Sequence, residues 1–235
     1  RDGASDIDRM MADRLRWDYD HSLITHAYVE GDSIDDTYAI LQSYADRHKN
    51  IILSKYDMGH PKYGSVIVPE RMMVLGRTSN HILEIALSQN PDYILLLDSD
   101  VTTPKKLITQ LLSHNIDIVA PMLFFEKSIY FRDTWGYRTL PTKDNKNGDE
   151  FMNRPRYCDN YDRKKLFEVG SAGQMLIKAS VFKDGARFSE EDEIVGLCRN
   201  MRSNGHRIYV DPTIALNHPR NGTIVPAIYE NNQDI

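Results

Sequence analysis

The apolar run Tyr93-Ile94-Leu95-Leu96-Leu97 ends in Asp98-Ser99-Asp100, and a proline follows at 104. Two carboxylates one residue apart are hard oxygen donors of the kind that hold Mg²⁺ or Mn²⁺. His218, after the short apolar stretch 213–217, adds an imidazole nitrogen. A small set of mixed oxygen and nitrogen donors leaves coordination positions open for phosphate oxygens. A plain turn is the competing reading of Asp-x-Asp, and a packed histidine that of His218. Placement at the end of a buried strand favours the metal, because ligands of open α/β sheets bind outside the carboxyl ends of the strands.

Four other groups of residues could join such a site. Asp32, in Glu-Gly-Asp-Ser, either contacts a ligand or belongs to a turn that caps the next helix. Arg77 and Asn80 lie on the helix before the Asp-x-Asp strand. They either face solvent or reach a phosphate or sugar hydroxyl, which arginine matches with two parallel hydrogen bonds. Gly170 and Gly173 precede a strand, where glycine serves a tight turn or lets backbone approach a ligand closely. No Gly-Lys-Ser/Thr follows, so this is not a P-loop. The acidic run Ser189-Glu190-Glu191-Asp192-Glu193 precedes an apolar helix. Ser189 fits a helix N-cap, with Asp192 as its capping-box partner. With Ile194 at the centre of the buried face, Glu190 and Glu191 are expected to point inward and Asp192 outward. An inward carboxylate beside a ligand pocket is a candidate general base.

The elements that must position these residues follow from periodicity. Strands are expected at 26–30, 51–54, 93–97, 116–125 and 173–182, with two short ones in 207–219. Helices are expected at 35–49, at 70–89 with a weak point at Gly76, from Pro104 to about 113, and from 189 onward. In the last helix Ile194, Leu197, Cys198 and Met201 fall at i, i+3, i+4 and i+7. Strands alternating with helices predict an α/β fold with a mainly parallel central sheet flanked by helices. Residues 126–166 are polar, aromatic and aperiodic, which predicts a functional loop insertion. No boundary divides the chain, so 1–235 reads as a single domain.

The chain has 235 residues, a net charge of −5 and 41% hydrophobic residues, which fits a globular domain without a basic footprint for nucleic acid. No apolar run is long enough to span a membrane. Cys158 and Cys198 are far apart and form no CxxC pair, so a structural zinc or disulfide framework is unsupported. That spacing fits a reducing, cytoplasmic setting; a Golgi lumen follows if an N-terminal anchor once preceded Arg1. Oligomeric state is not legible.

Taken in order, these features resemble the GT-A glycosyltransferases, and more narrowly the Anp-type α-mannosyltransferases of the fungal mannan polymerase complex (glycosyltransferase family 62). The opening "RDGA" follows that family's Arg-Asp pair. "GDSIDDT" (31–37) matches its GDSxDxT, and "RTSN" (77–80) half matches its RxRN. "AGQMLIKASVFKDGARF" (172–188) is close to its GGxxxLVKAxVHRxGxxF, and His218 matches its late histidine. The resemblance implies a GT-A nucleotide-diphospho-sugar transferase fold whose first strand lies upstream of Arg1. It also implies transfer of a hexose, with mannose favoured, from a nucleotide sugar such as GDP-mannose to a carbohydrate acceptor, with Mn²⁺ or Mg²⁺. Metal would then sit on Asp100 and His218, and Asp98 would hold the ribose or a water on the metal. Asp32 would bind the base, Arg77 a phosphate or sugar, and Gly173 would lie under the donor sugar. Tyr130, Phe131, Trp135 and Tyr137 would help form the acceptor site. For the catalytic acid group, family register points to Glu193, whereas the helix face points to Glu191; the resemblance to inverting GT-A enzymes, which commonly place a Glu-Asp pair here, implies Glu191 with Asp192 next. A carboxylate base would invert the anomeric centre, while the family resemblance implies retention. Two other classes share part of the pattern. A sugar nucleotidyltransferase would carry a glycine-rich basic loop near its N-terminus, which is not seen; a non-catalytic glycan-binding or scaffold subunit would need only the fold.

Overall fold

The structure is a computed structural model that describes residues 1–63, 68–125, 136–140, 143 and 165–218. Its elements run α1 (Ala4–Leu15), β1 (His26–Glu30), α2 (Thr37–Arg47), β2 (Ile51–Lys55), α3 (Pro69–Ser88) and β3 (Tyr93–Leu96). Then follow α4 (Leu107–Ser113), β4 (Ile118–Phe125), β5 (Phe167–Val169), β6 (Met175–Lys178), α5 (Glu193–Ser203) and β7 (Ile208–His218). The strands form a two-stranded sheet, β1-β2, and a five-stranded sheet in the order β3-β6-β4-β7-β5.

The expected mainly parallel sheet is corrected to a mixed one. Among the described residues, only β1–β2 and β4–β7 pair parallel; β3–β6, β4–β6 and β5–β7 are antiparallel. Alternation of strands and helices cannot reveal that β6 inserts backwards between β3 and β4. Two antiparallel steps restore direction, so β3, β4 and β7 still run the same way. Their carboxyl ends share one edge, and the residues just before β6 reach that edge too. The two short strands expected in 207–219 are one 11-residue strand. Its register against β4 shifts between Pro121 and Met122, which absorbs Pro212 in a bulge.

Alternating residues of β4 feed two cores. Ile118, Ala120 and Met122 pack with α3 and α5 on one face, and Val119 and Leu123 with α4 and Trp17 on the other. The predicted stripe of α5 is buried as expected. Helix α1, which carries no sequence assignment above, packs Ile7, Met10 and Met11 against Leu41 and Ile51. Gly76 does not weaken α3, which runs unbroken for 20 residues. A Cβ there would lie 2.3 Å from the carbonyl oxygen of Ser189, so glycine lets the acidic segment press directly on the helix. One strand departs from expectation: in β3 only Ile94 is buried, while Tyr93, Leu95 and Leu96 are half-buried.

His26 opens β1, buried and stacked between Trp17 and Tyr28 at ring separations of 5.9 and 6.3 Å. Burial, with the positive charge of Arg14 and of nearby histidines, pulls its pKa down to about 4. An unfolded chain takes up this proton near pH 6.5 and the native one only near 4, so stability falls as pH drops across that window. Between pH 7 and 4.5 this histidine should cost about 2–3 kcal/mol of unfolding free energy. Urea unfolding of His26→Phe checks it: the variant should lose that much less stability on acidification than the wild type.

Candidate functional site

At the carboxyl edge of β3 the Asp98–Thr103 segment is held from several sides. Gln174 is buried, and its amide both accepts from the Asp98 N–H and donates to Asp98 Oδ2, each at 2.8 Å. Thr102 and Asn217 exchange backbone hydrogen bonds of 2.8 and 3.0 Å, which stitch the segment to the end of β7. That pairing delivers the next residue, His218, whose Nε2 lies 2.8 Å from Asp100 Oδ2. The sequence-predicted pair Asp100–His218 is thus brought together, beside Asp98 and Gly173 on the wall of one cleft of about 1560 Å³. Among the described residues, no three His, Cys, Asp or Glu side chains form a metal-binding cluster.

Helix α1 supplies support that the sequence reading missed. Arg9 donates to the Asp100 carbonyl at 3.2 Å, and Arg14 to the Asp98 and Val101 carbonyls at 3.2 and 3.4 Å. Asp13 and Arg14, each 4% exposed, form a buried ion pair of 2.6 Å. Burial pulls the Arg14 guanidinium below its ordinary pKa, and the Asp13 charge opposes that shift. Asp13 also accepts from the Thr103 N–H at 3.1 Å and the Thr103 hydroxyl at 2.7 Å. Trp17 Nε1 donates to the same hydroxyl at 2.7 Å. The available signal was Arg14 on the stripe Ile7, Met10, Met11, at i+7 from its start. A charge on an apolar stripe needs a buried partner.

The acidic segment differs most from expectation. Helix α5 begins at Glu193, with Asp192 as an N-cap that makes no side-chain cap bond. The capping box does not form: Ser189 Oγ accepts from the Glu191 N–H at 3.0 Å, and Ser189 and Glu193 close a turn by exchanging backbone bonds. Residues 190–192 are therefore outside the helical register, and the inward assignment fails. Glu190 and Glu191 are exposed. Asp192 pairs with Arg199 at 2.6 Å. Neither Glu191 nor Asp192 lines the cleft, but Glu193 does. Glu193 is half-buried, sits at φ 43°, a left-handed value that costs a non-glycine residue about 1 kcal/mol, and accepts from Ser79 Oγ at 2.9 Å.

The RTSN segment of α3 latches this turn. Arg77 makes two 3.0 Å bonds to Glu190, which lower the Glu190 pKa. Asn80 exchanges two 2.9 Å bonds with the Phe188 backbone. Arg77 thus neither faces solvent freely nor lines the cleft. Asp32 sits at φ 58° after β1, and its carboxylate accepts from the Gly59 N–H at 2.8 Å and from Met58 and His60 at 3.3 Å. Burial raises its pKa, but the three N–H donors outweigh it and hold the carboxyl below the usual range. It organises the 57–60 turn; at the start of α2 Asp36 holds the N-cap position without a side-chain cap bond, and Asp35 Oδ1 accepts from the Thr37 N–H at 3.1 Å. At Gly170 a Cβ would lie 2.1 Å from the Thr139 carbonyl oxygen, so that glycine serves backbone packing rather than a ligand. Tyr137 is fully buried and its hydroxyl donates to the Pro121 carbonyl, so it belongs to the core and not to an acceptor surface. Tyr130, Phe131, Trp135 and most of the 126–166 insertion lie outside the described residues. Among the described residues, no helix is long and apolar enough to cross a membrane.

Comparison with known proteins places this geometry in context. Residues 1–139 match the Anp1 family. Mannan polymerase complex subunit mnn9 of Schizosaccharomyces pombe is 26% identical over 182 residues, 63% of this chain and 52% of that protein. The chain thus spans about half the length of this curated relative. TarS of S. aureus, solved with UDP-GlcNAc, superposes with a TM-score of 0.58 at 15% identity, covering 94% of this chain and 56% of that one. Mannosyltransferase PcManGT of Pyrobaculum calidifontis, solved with GDP-Man and Mn²⁺, gives 0.54 at 14% identity, covering 93% and 55%. The fold is that of the GT-A glycosyltransferases.

Proposed function

Because this chain belongs to the Anp1 family, we propose that it is a metal-dependent glycosyltransferase that moves mannose from GDP-mannose to a hydroxyl of a glycan acceptor. The observation that carries the reading is the Asp100–His218 contact at 2.8 Å on the cleft wall. The name of the mnn9 relative supports the mannan class, and the GDP-Man complex of PcManGT supports the donor.

An adjoining carboxylate oxygen and imidazole nitrogen fit Mn²⁺ or Mg²⁺, which bind through few protein ligands when diphosphate oxygens complete the shell. Bound there, the cation supplies Lewis-acid neutralisation of charge developing on the leaving diphosphate. The protein's own part is preorganisation. Gln174 sets the Asp98 carboxylate toward the ribose side of the donor. Arg9 and Arg14 pin the carbonyls of the Asp98–Val101 loop, so little reorganisation is needed as charge develops. Gly173, on the cleft wall, would lie beneath the donor sugar. Asp32 shapes the base end of the site through the 57–60 turn, and Arg77 acts through Glu190 to place the acidic turn. Glu193, anchored by Ser79, is the carboxylate that faces the sugar.

A screen of nucleotide sugars with Mn²⁺ tests the reading. GDP-mannose should be turned over, with GDP released and an α-linked product seen by NMR. A folded protein with neither turnover nor a Mn²⁺-dependent thermal shift on any GDP- or UDP-sugar sinks it, and leaves a non-catalytic subunit. A β-linked product would overturn retention and make Glu193 the general base. Glu193→Gln should lower kcat about 10²-fold or more with donor KM little changed, whereas Glu191→Gln stays near wild type. The reverse order of effects would return the role to Glu191.

A further inference from the structure

Strand β7 reaches the Asp100 edge in two pieces that differ in phase. Up to Asp211, which faces Pro121, it pairs regularly with β4; from Ala215, which faces Met122, it pairs regularly again. Three residues, Pro212, Thr213 and Ile214, lie between with no partner on β4. An odd insertion turns a strand over. Before it, Ile208 and Val210 pack into the core that holds Ile118, Ala120 and Met122; after it, Ile214 and Leu216 pack into the opposite core, with Val119, Leu123 and Trp17. If the first register carried on, Pro212 would face Met122 and Ala215 would face Phe125. His218, which faces Phe125 in the structure, would overshoot that position by three residues, about 10 Å of strand. Ile214 and Leu216 would also leave their core for the other face.

One buried carboxylate ties the bulge down. Asp211 Oδ1 accepts from the Thr213 N–H at 2.8 Å and from the Thr213 hydroxyl at 2.6 Å, which closes a tight turn over Pro212. Asp211 Oδ2 lies 2.7 Å from Nε2 of His114, the residue that ends α4. An ionised carboxylate only accepts, so the imidazole donates. Helix α4 is itself seated by Leu107, Ile108 and Leu111 in the core that receives Ile214 and Leu216. The carboxylate therefore couples the bulge to the helix that covers the second piece of β7. Beyond the bulge, Asn217 exchanges backbone bonds with Thr102, and His218 follows. Neither His114 nor Asp211 lines the cleft.

We propose that Asp211, seated by His114, is a positioning residue for the metal site: it holds the bulge that sets the register and face of the end of β7, and so presents His218 to Asp100. It acts from outside the cleft, through seven residues of strand. The consequence for metal rests on the reading of Asp100 and His218 as its ligands; the control of register rests on the ladder alone.

Calorimetric titration with Mn²⁺ alone and residue-resolved amide hydrogen exchange test it on three variants. Asp211→Ala should bind Mn²⁺ at least about tenfold more weakly, the scale of losing a group that orients a ligand. Its Thr102 and Asn217 amides should exchange about tenfold faster or more, while those of Lys178 and Ala179, which bond to Asp117 and Asp92, keep their wild-type rates. Asp211→Asn keeps an acceptor for Thr213 and should stay within about threefold of wild type in both readings. His114→Ala alters a half-buried helix end and should shift both readings the same way as Asp211→Ala, by about threefold. Wild-type exchange at Thr102 and Asn217 in Asp211→Ala overturns the proposal, whatever the Mn²⁺ affinity. Equal loss of protection at Lys178 and Ala179 also overturns it, because Asp211 would then be a general stabilising residue. So does an Asp211→Asn variant as defective as Asp211→Ala. If Asp211→Ala does not fold, unchanged readings in His114→Ala overturn it. If the wild type takes up no Mn²⁺, the metal reading fails, and exchange at Thr102 and Asn217 still decides the control of register.

Discussion

Asp100→Ala should lower kcat/KM for the nucleotide sugar by about 10²–10³-fold, the scale of losing one electrostatic group that stabilises developing charge. The effect is large because the described residues provide a metal with only two side-chain ligands placed together, Asp100 and His218, and no third forms a cluster with them. Removing one leaves a lone imidazole, too little to hold Mn²⁺ or Mg²⁺ between additions of donor. Calorimetric titration with Mn²⁺ should show binding lost in the variant, and the donor should no longer give a metal-dependent thermal shift. Folding is a separate matter. The pair is partly exposed, at 12% and 31% of the side chains, so its loss should change metal-free stability by no more than about 1 kcal/mol. His218→Ala should share the metal defect. Wild-type affinity for metal and donor in Asp100→Ala would refute the assignment.

Asp13→Ala should be the most destabilising single change near the site, at about 3–5 kcal/mol by urea unfolding. Alanine leaves the Arg14 guanidinium buried with no counter-charge and strips two hydrogen bonds from Thr103. It also frees Arg16, which bridges Asp13 Oδ1 and the Thr103 carbonyl. The same network fixes the Asp98–Val101 carbonyls, so the variant that remains folded should bind Mn²⁺ more weakly although no proposed ligand has changed. Asp13→Asn keeps an acceptor for Thr103 but not the charge, and should fall between the two. A loss under about 1 kcal/mol for Asp13→Ala would mean that Arg14 finds water or another acceptor and that the network is not a buried unit.

Much of this architecture was written in local chemistry. The apolar stripe of α5, the span of α3 and the run into Asp98 each depend on residues within a few positions of one another, so periodicity exposed them. Asp98, Asp100, Gly173 and His218 were also legible, because strand ends in an α/β fold converge on one edge. Their convergence survived an error about the sheet: β6 runs backwards, and two reversals cancel.

What stayed hidden depends on contacts distant in sequence. Gly76 looked like a defect in α3, and only the approach of Ser189 explains it. Arg77 looked like a phosphate ligand or a solvated charge, but its partner Glu190 lies 113 positions along the chain. Glu191 was favoured over Glu193 because the helical register was carried back to Ser189, and nothing local reports that a left-handed residue at 193 ends it there. By itself, then, the sequence determined most of the elements, α1 and β5 excepted, and which polar residues sit at their ends, since propensity and periodicity are short-range. Only the tertiary structure decided which carboxylate faces the cleft and which charges hold the Asp98–Thr103 loop. Those outcomes turn on packing and hydrogen-bond satisfaction between segments that meet only when the chain is folded.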